Sequence, residues 1–189
     1  MMKTEYRFAE ALKELMSEQS LDEISVTKLS KKCKVNRQTF YYHFHDIYDL
    51  LTLVFLEEKI AKIQDADSLE KMVRIIFAYY IANKKFIDAT INSACKDLFQ
   101  EFLFNNCNTA ISKMINSDPD SKKLHANDRK AIARFYALGY AHSIAYYLST
   151  YKNKTIEGLL LNLSFVDNSI LEKSLDKFVV IKAKKEGRK

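Results

Sequence analysis

The stretch VTKLSKKCKVNRQTFYYHFHDIYDLL, Val26 to Leu51, constrains this chain more than any other part of it. Two short helical patterns meet there across a tight turn. Val26, Leu29 and Cys33 stand at i, i+3 and i+7 and line one side of the first helix. Val35, Phe40 and Phe44 supply the inward side of the second. At about 100° per residue, Gln38 and Tyr42 then point away from that side, flanked by Thr39 and Tyr41. Asn36 has the chemistry of an N-cap, which places Arg37, Gln38 and Thr39 in the first turn, where backbone N–H groups and the helix dipole attract phosphate. Arginine and glutamine carry the paired donors and acceptors that suit guanine and adenine edges in the major groove.

Charge falls in the same place. The formal net charge is only +6, but Lys28, Lys31, Lys32, Lys34 and Arg37 follow one another with no acid until Asp46, while Glu5, Glu10, Glu14 and Glu18 sit in the helix before. A basic run alone is most often a solvated face; one that overlaps a reading helix is an electrostatic footprint for nucleic acid.

The pattern Thr39-Phe40-Tyr41-Tyr42-His43-Phe44 resembles the end of the recognition helix in TetR/AcrR-family (tetracycline-repressor-like) transcription regulators, a likeness that runs from about Tyr6 to Leu51. The resemblance implies DNA contacts from Thr27, Arg37, Gln38, Thr39, Tyr41 and Tyr42, with His43 as an addition; Lys28 of the basic run is a further candidate contact. The sequence RQTFYYHFHDIYDLL also looks like a subgroup that includes dihydroxyacetone-kinase regulators. Two positions depart from the family pattern. Lys34 stands where a glycine is usual, so a non-glycine residue is expected at positive φ, at a cost of order 1 kcal/mol. Ile47, preceded by Asp46, stands where a phosphate-binding lysine often starts the fourth helix; His45 or Lys28 would have to substitute.

The remainder reads as helix throughout. Three glycines, one proline and no long alternating run point to an all-α chain, and 48% apolar content over 189 residues is enough for a real core. Thr4 is a candidate cap for a first helix with the stripe Phe8, Ala11, Leu12, Leu15 and Met16, and Ser25 for the second. A connector helix should run from Asp46 toward Ile63. Asp67 with Glu70 forms a candidate capping box for a helix to Ala82 with the apolar face Val73, Ile76, Phe77 and Tyr80. After a turn at Asn83 to Lys85, helices follow from Phe86 to Ala94 and from Lys96 to Ile115, then a loop from Ser117 to Asn127. Thr155 caps the next helix, Ser169 with Glu172 opens the last, and Lys182 to Lys189 is a solvated, frayed tail.

From Phe135 to Tyr151 no Asp, Glu, Lys or Arg occurs, and apolar residues surround the helix instead of forming one stripe. Such a helix is buried on more than one side. Its five tyrosines, with His142 and Ser143, argue against a membrane span and for one face on the body and another on a second subunit. His142 reads first as a hydrogen-bonded interface or core histidine. The resemblance implies a dimer bundle from the helices Ala131 to Tyr151 and Thr155 to Leu163, with Ile132, Phe135, Gly139, His142, Ser143, Tyr146, Leu159 and Leu163 at its interface. It also implies a pocket in the body for a small apolar or aromatic effector, to which Asn92, Ser93, Asn105, Asn106, Tyr136 and Tyr140 could supply polar groups.

Catalytic and metal patterns are missing from the sequence: no phosphate-binding glycine loop, no HExxH, no nucleophile elbow, and four scattered histidines. No cofactor or metal is expected. Cys33, Cys95 and Cys107 have no C-x-x-C spacing and no signal-peptide pattern precedes them, which suggests a reduced, cytoplasmic setting. The expectation is an all-α protein with an N-terminal three-helix helix-turn-helix domain in residues 1–50 and a C-terminal helical ligand-binding and dimerisation domain in 51–189. Its function would be that of a homodimeric, sequence-specific repressor on an inverted-repeat operator, released by an effector. The alternative is an activator or partner-dependent regulator with weak intrinsic DNA binding.

Overall fold

The computed structural model describes residues 3–164 and 168–186. Among these, every regular element is helical: α1 (Lys3–Met16), α2 (Val26–Lys32), α3 (Arg37–His43), α4 (Ile47–Glu57), α5 (Leu69–Ala82), α6 (Lys84–Ile91), α7 (Lys96–Ser117), α8 (Ala126–Thr150), α9 (Ile156–Asn162) and α10 (Asn168–Glu186), with short 3-10 turns at Leu21–Glu23, Ile63–Asp65 and Asp120–Lys123. The described residues divide into two compact units. One holds the residues up to Lys59 together with Tyr80–Phe102, the other Ile60–Tyr79 and the residues from Leu103 on.

In the first unit α1 packs against α2, α4 and α6. The expected stripe of α1 is its buried face, with Phe8 and Leu12 fully enclosed. Phe55 of α4 stacks on Phe86 of α6 at 5.4 Å and reaches Phe102 of α7 at 5.5 Å. Tyr80 donates a hydrogen bond to Asp88 Oδ1 at 3.0 Å across the single-residue turn at Asn83; burial, and then the Asp88 charge, push its pKa upward.

Several expected boundaries move. Thr4 lies inside α1, which already includes Lys3. The connector helix stops at Glu57 instead of reaching Ile63: Glu58 turns to extended backbone with its carboxylate 2.8 Å from Lys13, and Lys62 adopts φ 62°. No glycine or proline marks that stop. The irregular path lets both Ile60 and Ile63 bury. At α5 the Ser68 hydroxyl accepts from the Lys71 N–H at 3.2 Å, while Asp67 pairs with Lys71 and Glu70 with Arg74, so the expected box does not form. Helix α6 starts at Lys84 and α8 at Ala126, shortening both expected loops. Ser169 lies within α10, which includes Asn168, and the expected tail is helical through Glu186; residues 187–189 lie outside the described residues.

In the second unit α5 buries Leu69, Met72, Val73, Ile76 and Phe77. Arg129, near the start of α8, donates to the Leu124 carbonyl at 2.6 Å and to Asn116 Oδ1 at 3.1 Å, tying α8 to the end of α7. Helix α8 buries most of its length, including Ile132, Tyr136, Tyr140, Ile144 and Leu148. Thr155 caps α9 as expected, accepting from the Gly158 N–H at 3.0 Å. The Tyr147 hydroxyl closes the corner by donating to the Thr155 carbonyl at 3.1 Å and accepting the Thr155 N–H at 3.2 Å.

A Cβ at Gly158 would stand 2.4 Å from that hydroxyl. Gly158→Ala should therefore destabilise the protein, since displacing a doubly bonded tyrosine costs roughly 1–3 kcal/mol against about 1 kcal/mol of helix propensity gained. In a Tyr147→Phe background, where the obstructing oxygen is gone, the same change should stabilise. Thermal unfolding of the four proteins tests this; a drop on Gly158→Ala in both backgrounds would count against the steric cause.

Candidate nucleic-acid interface

The three helices α1, α2 and α3 build one surface from the residues upward. Ser25 caps α2, its Oγ accepting from the Lys28 N–H at 3.2 Å, and Asn36 caps α3, its Oδ1 accepting from the Thr39 N–H at 2.9 Å. Between them Lys34 adopts φ 51°, as the missing glycine predicted. The Lys34 N–H returns to the Lys31 carbonyl and the Val35 N–H to the Ser30 carbonyl, the paired bonds of a Schellman turn.

Helix α3 is held by one buried ring. Phe40 is completely enclosed, its ring edge-on to Phe8 at 5.2 Å and 5.4 Å from Phe44. Phe44 is the C-cap of α3 and Val35 lies in the turn ahead of it, so two of the three expected inward residues flank the helix. Arg37, Gln38, Tyr41 and Tyr42 are exposed, Tyr42 by 85%, with Gln38 and Tyr42 on the side opposite Phe40. The Arg37 guanidinium lies 6.0 Å from the centre of the Tyr41 ring, a cation–π arrangement that extends the arginine along the face. Thr39 is half-covered, and its hydroxyl donates to Asn36 Oδ1 at 3.2 Å.

Thr27 and Lys28 are exposed in the first turn of α2. The Lys28 ammonium donates to Gln19 Oε1, a partner with no signal in the sequence. Lys32 is drawn back to Glu14 at 2.7 Å. His43 is placed apart from the exposed face: its side chain is 9% exposed and its Nδ1 lies 3.4 Å from Glu5 of α1. At the start of α4, Asp46 Oδ1 accepts from the Asp49 N–H at 2.8 Å and Asp49 Oδ2 from the His45 N–H at 3.1 Å. Two carboxylates thus occupy a helix N-terminus that would otherwise attract phosphate.

The six polar residues considered for an effector pocket divide between the two units. Asn92 and Ser93 belong to the first unit, where they bond to the Asp88 and Thr90 carbonyls at the end of α6 and line a cleft of about 410 Å³ with Gln19 and Lys85. Asn105 is exposed, Asn106 half-buried and Tyr140 buried in the second unit. Tyr136 places its hydroxyl 2.7 Å from Ser174 and lines an apolar groove of about 280 Å³ with Phe135 and Phe178. Of the residues considered for a subunit interface, Ile132, Leu159 and Leu163 are buried within the chain itself. Phe135, Gly139, His142 and Tyr146 share an outward face of α8, and Ser143 is half-buried at its edge.

All three cysteines are buried, and desolvation pushes their thiols up, Cys107 to about 12. Among the described residues no cluster of His, Cys, Asp or Glu could hold a metal ion, and no helix is long and apolar enough to cross a membrane.

Comparison with known proteins agrees with this geometry. The family described as "Bacterial regulatory proteins, tetR family" matches residues 9–54, and "Transcriptional regulator C-terminal region" matches residues 67–165. No curated protein matches the chain. Among solved structures, "Dihydroxyacetone kinase operon activator DhaS" has a similar fold, with a TM-score of 0.60 and 20% identity over 96% of this chain and 98% of that one. The helix-turn-helix, the all-helical body and the two family matches together place the chain in the TetR family of DNA-binding transcription regulators.

Proposed function

We propose that the protein is a homodimeric regulator that reads an inverted-repeat operator through α3, with residues 1–50 as the reading head and 51–189 as the body that dimerises and takes an effector. The observation that carries the reading is the exposed Arg37, Gln38, Tyr41 and Tyr42 face on a capped helix whose other side is locked by Phe8, Phe40 and Phe44. Arg37 and Gln38 read base edges, while Thr27, Lys28, Thr39, Tyr41 and Tyr42 set register on phosphate and sugar. Two heads related by a two-fold axis would enter successive major grooves, with half-site centres about 34 Å apart. Repression by occupancy is the default sign. An effector that prefers the DNA-incompetent arrangement would release the operator by no more than its differential affinity for the two states.

The second reading is an activator or partner-dependent regulator with weak intrinsic DNA binding. Asp46 and Asp49 at the N-terminus of α4 favour it by repelling phosphate, and the DhaS fold relative is named an operon activator.

Selection of bound DNA from a random duplex pool tests the first reading: enrichment of an inverted repeat is expected, and no enrichment by a folded dimer would turn the choice to the second. On the selected site, Arg37→Ala or Gln38→Ala should each cost about 1–3 kcal/mol and relax preference at one base pair. Lys28→Ala should instead weaken all sequences alike and flatten the salt slope by about one. An equal loss on cognate and random DNA for Arg37→Ala would assign it to the backbone.

A further inference from the structure

The turn that sets α3 against α2 is held from outside the helix-turn-helix. In the Schellman turn the carbonyls of Leu29, Ser30 and Lys31 are taken by the N–H groups of Cys33, Val35 and Lys34. The Cys33 carbonyl, immediately before the left-handed residue Lys34, accepts from the guanidinium of Arg7 on α1. The Cys33 thiol lies 3.5 Å from the Arg7 carbonyl, so the two residues engage each other twice. A guanidinium at this place does two things. It satisfies a carbonyl at the C-terminal end of α2, where the helix dipole favours a cation, and it opposes the tendency of a side-chain-bearing residue to leave the left-handed region.

We propose that Arg7 is a positioning residue for DNA reading: by clamping the Cys33 carbonyl it holds the Lys34 turn, and with it the angle at which α3 presents Arg37 and Gln38. Arg7 itself need not touch DNA. This rests on the DNA-reading function proposed above, but the clamp can be tested without DNA. The seven residues of α3 are too few to hold a helix by themselves, so its direction is inherited from the turn and from Phe40.

The test compares the full-length protein with Arg7→Ala, Arg7→Lys, Lys34→Gly and the double change Arg7→Ala with Lys34→Gly. The first readout is amide hydrogen exchange of Lys34 and Val35 in DNA-free protein. Arg7→Ala should accelerate it roughly tenfold, the loss of one charge-assisted hydrogen bond, without moving the amides of α8, and Lys34→Gly should return it toward the wild-type rate. Unchanged exchange, or an equal acceleration across the first unit, would overturn the clamp. If Arg7→Ala does not fold, Arg7→Lys, which keeps charge but loses the planar fork, carries the same expectation at smaller size.

The second readout is affinity for the selected operator and for random duplex. Arg7→Ala should lower operator affinity by roughly the same factor, less on random DNA, with the salt slope unchanged, and Lys34→Gly should restore it. A slope reduced by about one on both DNAs would make Arg7 a phosphate contact and overturn the positioning role. If the wild type selects no sequence, the DNA-reading proposal fails, while the exchange result still decides the clamp.

Discussion

Phe40→Ala should cost about 3–5 kcal/mol and abolish operator binding although Phe40 points away from the outward face. The ring is fully buried, edge-on to Phe8 and Tyr41 and tilted against Phe44. Its removal loses transfer energy, leaves a cavity and breaks aromatic pairs worth about 0.5–1.5 kcal/mol each. It is also the buried residue of α3 itself, whose other tie to α1 is His43 beside Glu5. Denaturant unfolding and operator titration measure the two effects, with Phe40→Leu as the milder comparison. A cost below about 1 kcal/mol would mean that α3 is held from elsewhere.

Phe135→Glu should raise the dimer dissociation constant by about 100-fold or more, from an aromatic anchor worth about 2 kcal/mol or more and a charge buried in its place. In the isolated chain the substitution should be nearly neutral, within about 0.5 kcal/mol, because Phe135 is 74% exposed. Its neighbours on the same face are Leu138, His142 and Tyr146, all exposed, and Gly139, where an added Cβ would meet nothing within 4 Å. Such an apolar face on a helix already buried along its other side is what a second copy would cover. Sedimentation equilibrium is expected to show monomer for Phe135→Glu with helical content intact. A dimer mass unchanged at micromolar concentration would remove α8 from the interface. Glutamate at Ile132 or Ala145 is uninformative by comparison, since both side chains are in the core and unfolding would follow.

These two residues show where sequence reading succeeds and where it stops. The separation of Phe40 from Gln38 and Tyr42 follows from helical period alone, because a short amphipathic helix has only one side that can be buried. The face of α8 could not be found that way. Apolar residues surround it, so Ile132 and Phe135 look equivalent in the sequence, yet one is core and the other is exposed. His43, three residues after Phe40, falls on the buried side by the same period, and Glu5 of α1 meets it there.

What the sequence by itself determined is everything set within a few residues: the all-helical class and the caps at Ser25, Asn36 and Thr155. These are short-range hydrogen bonds and backbone sterics, which need no distant partner. Only the tertiary structure decided that α4 ends at Glu57, that Arg7 closes the turn at Cys33, and which side of α8 stays in solvent. Each of those depends on groups brought together from far along the chain, where a buried isoleucine or a satisfied carbonyl outweighs the local preference to continue a helix.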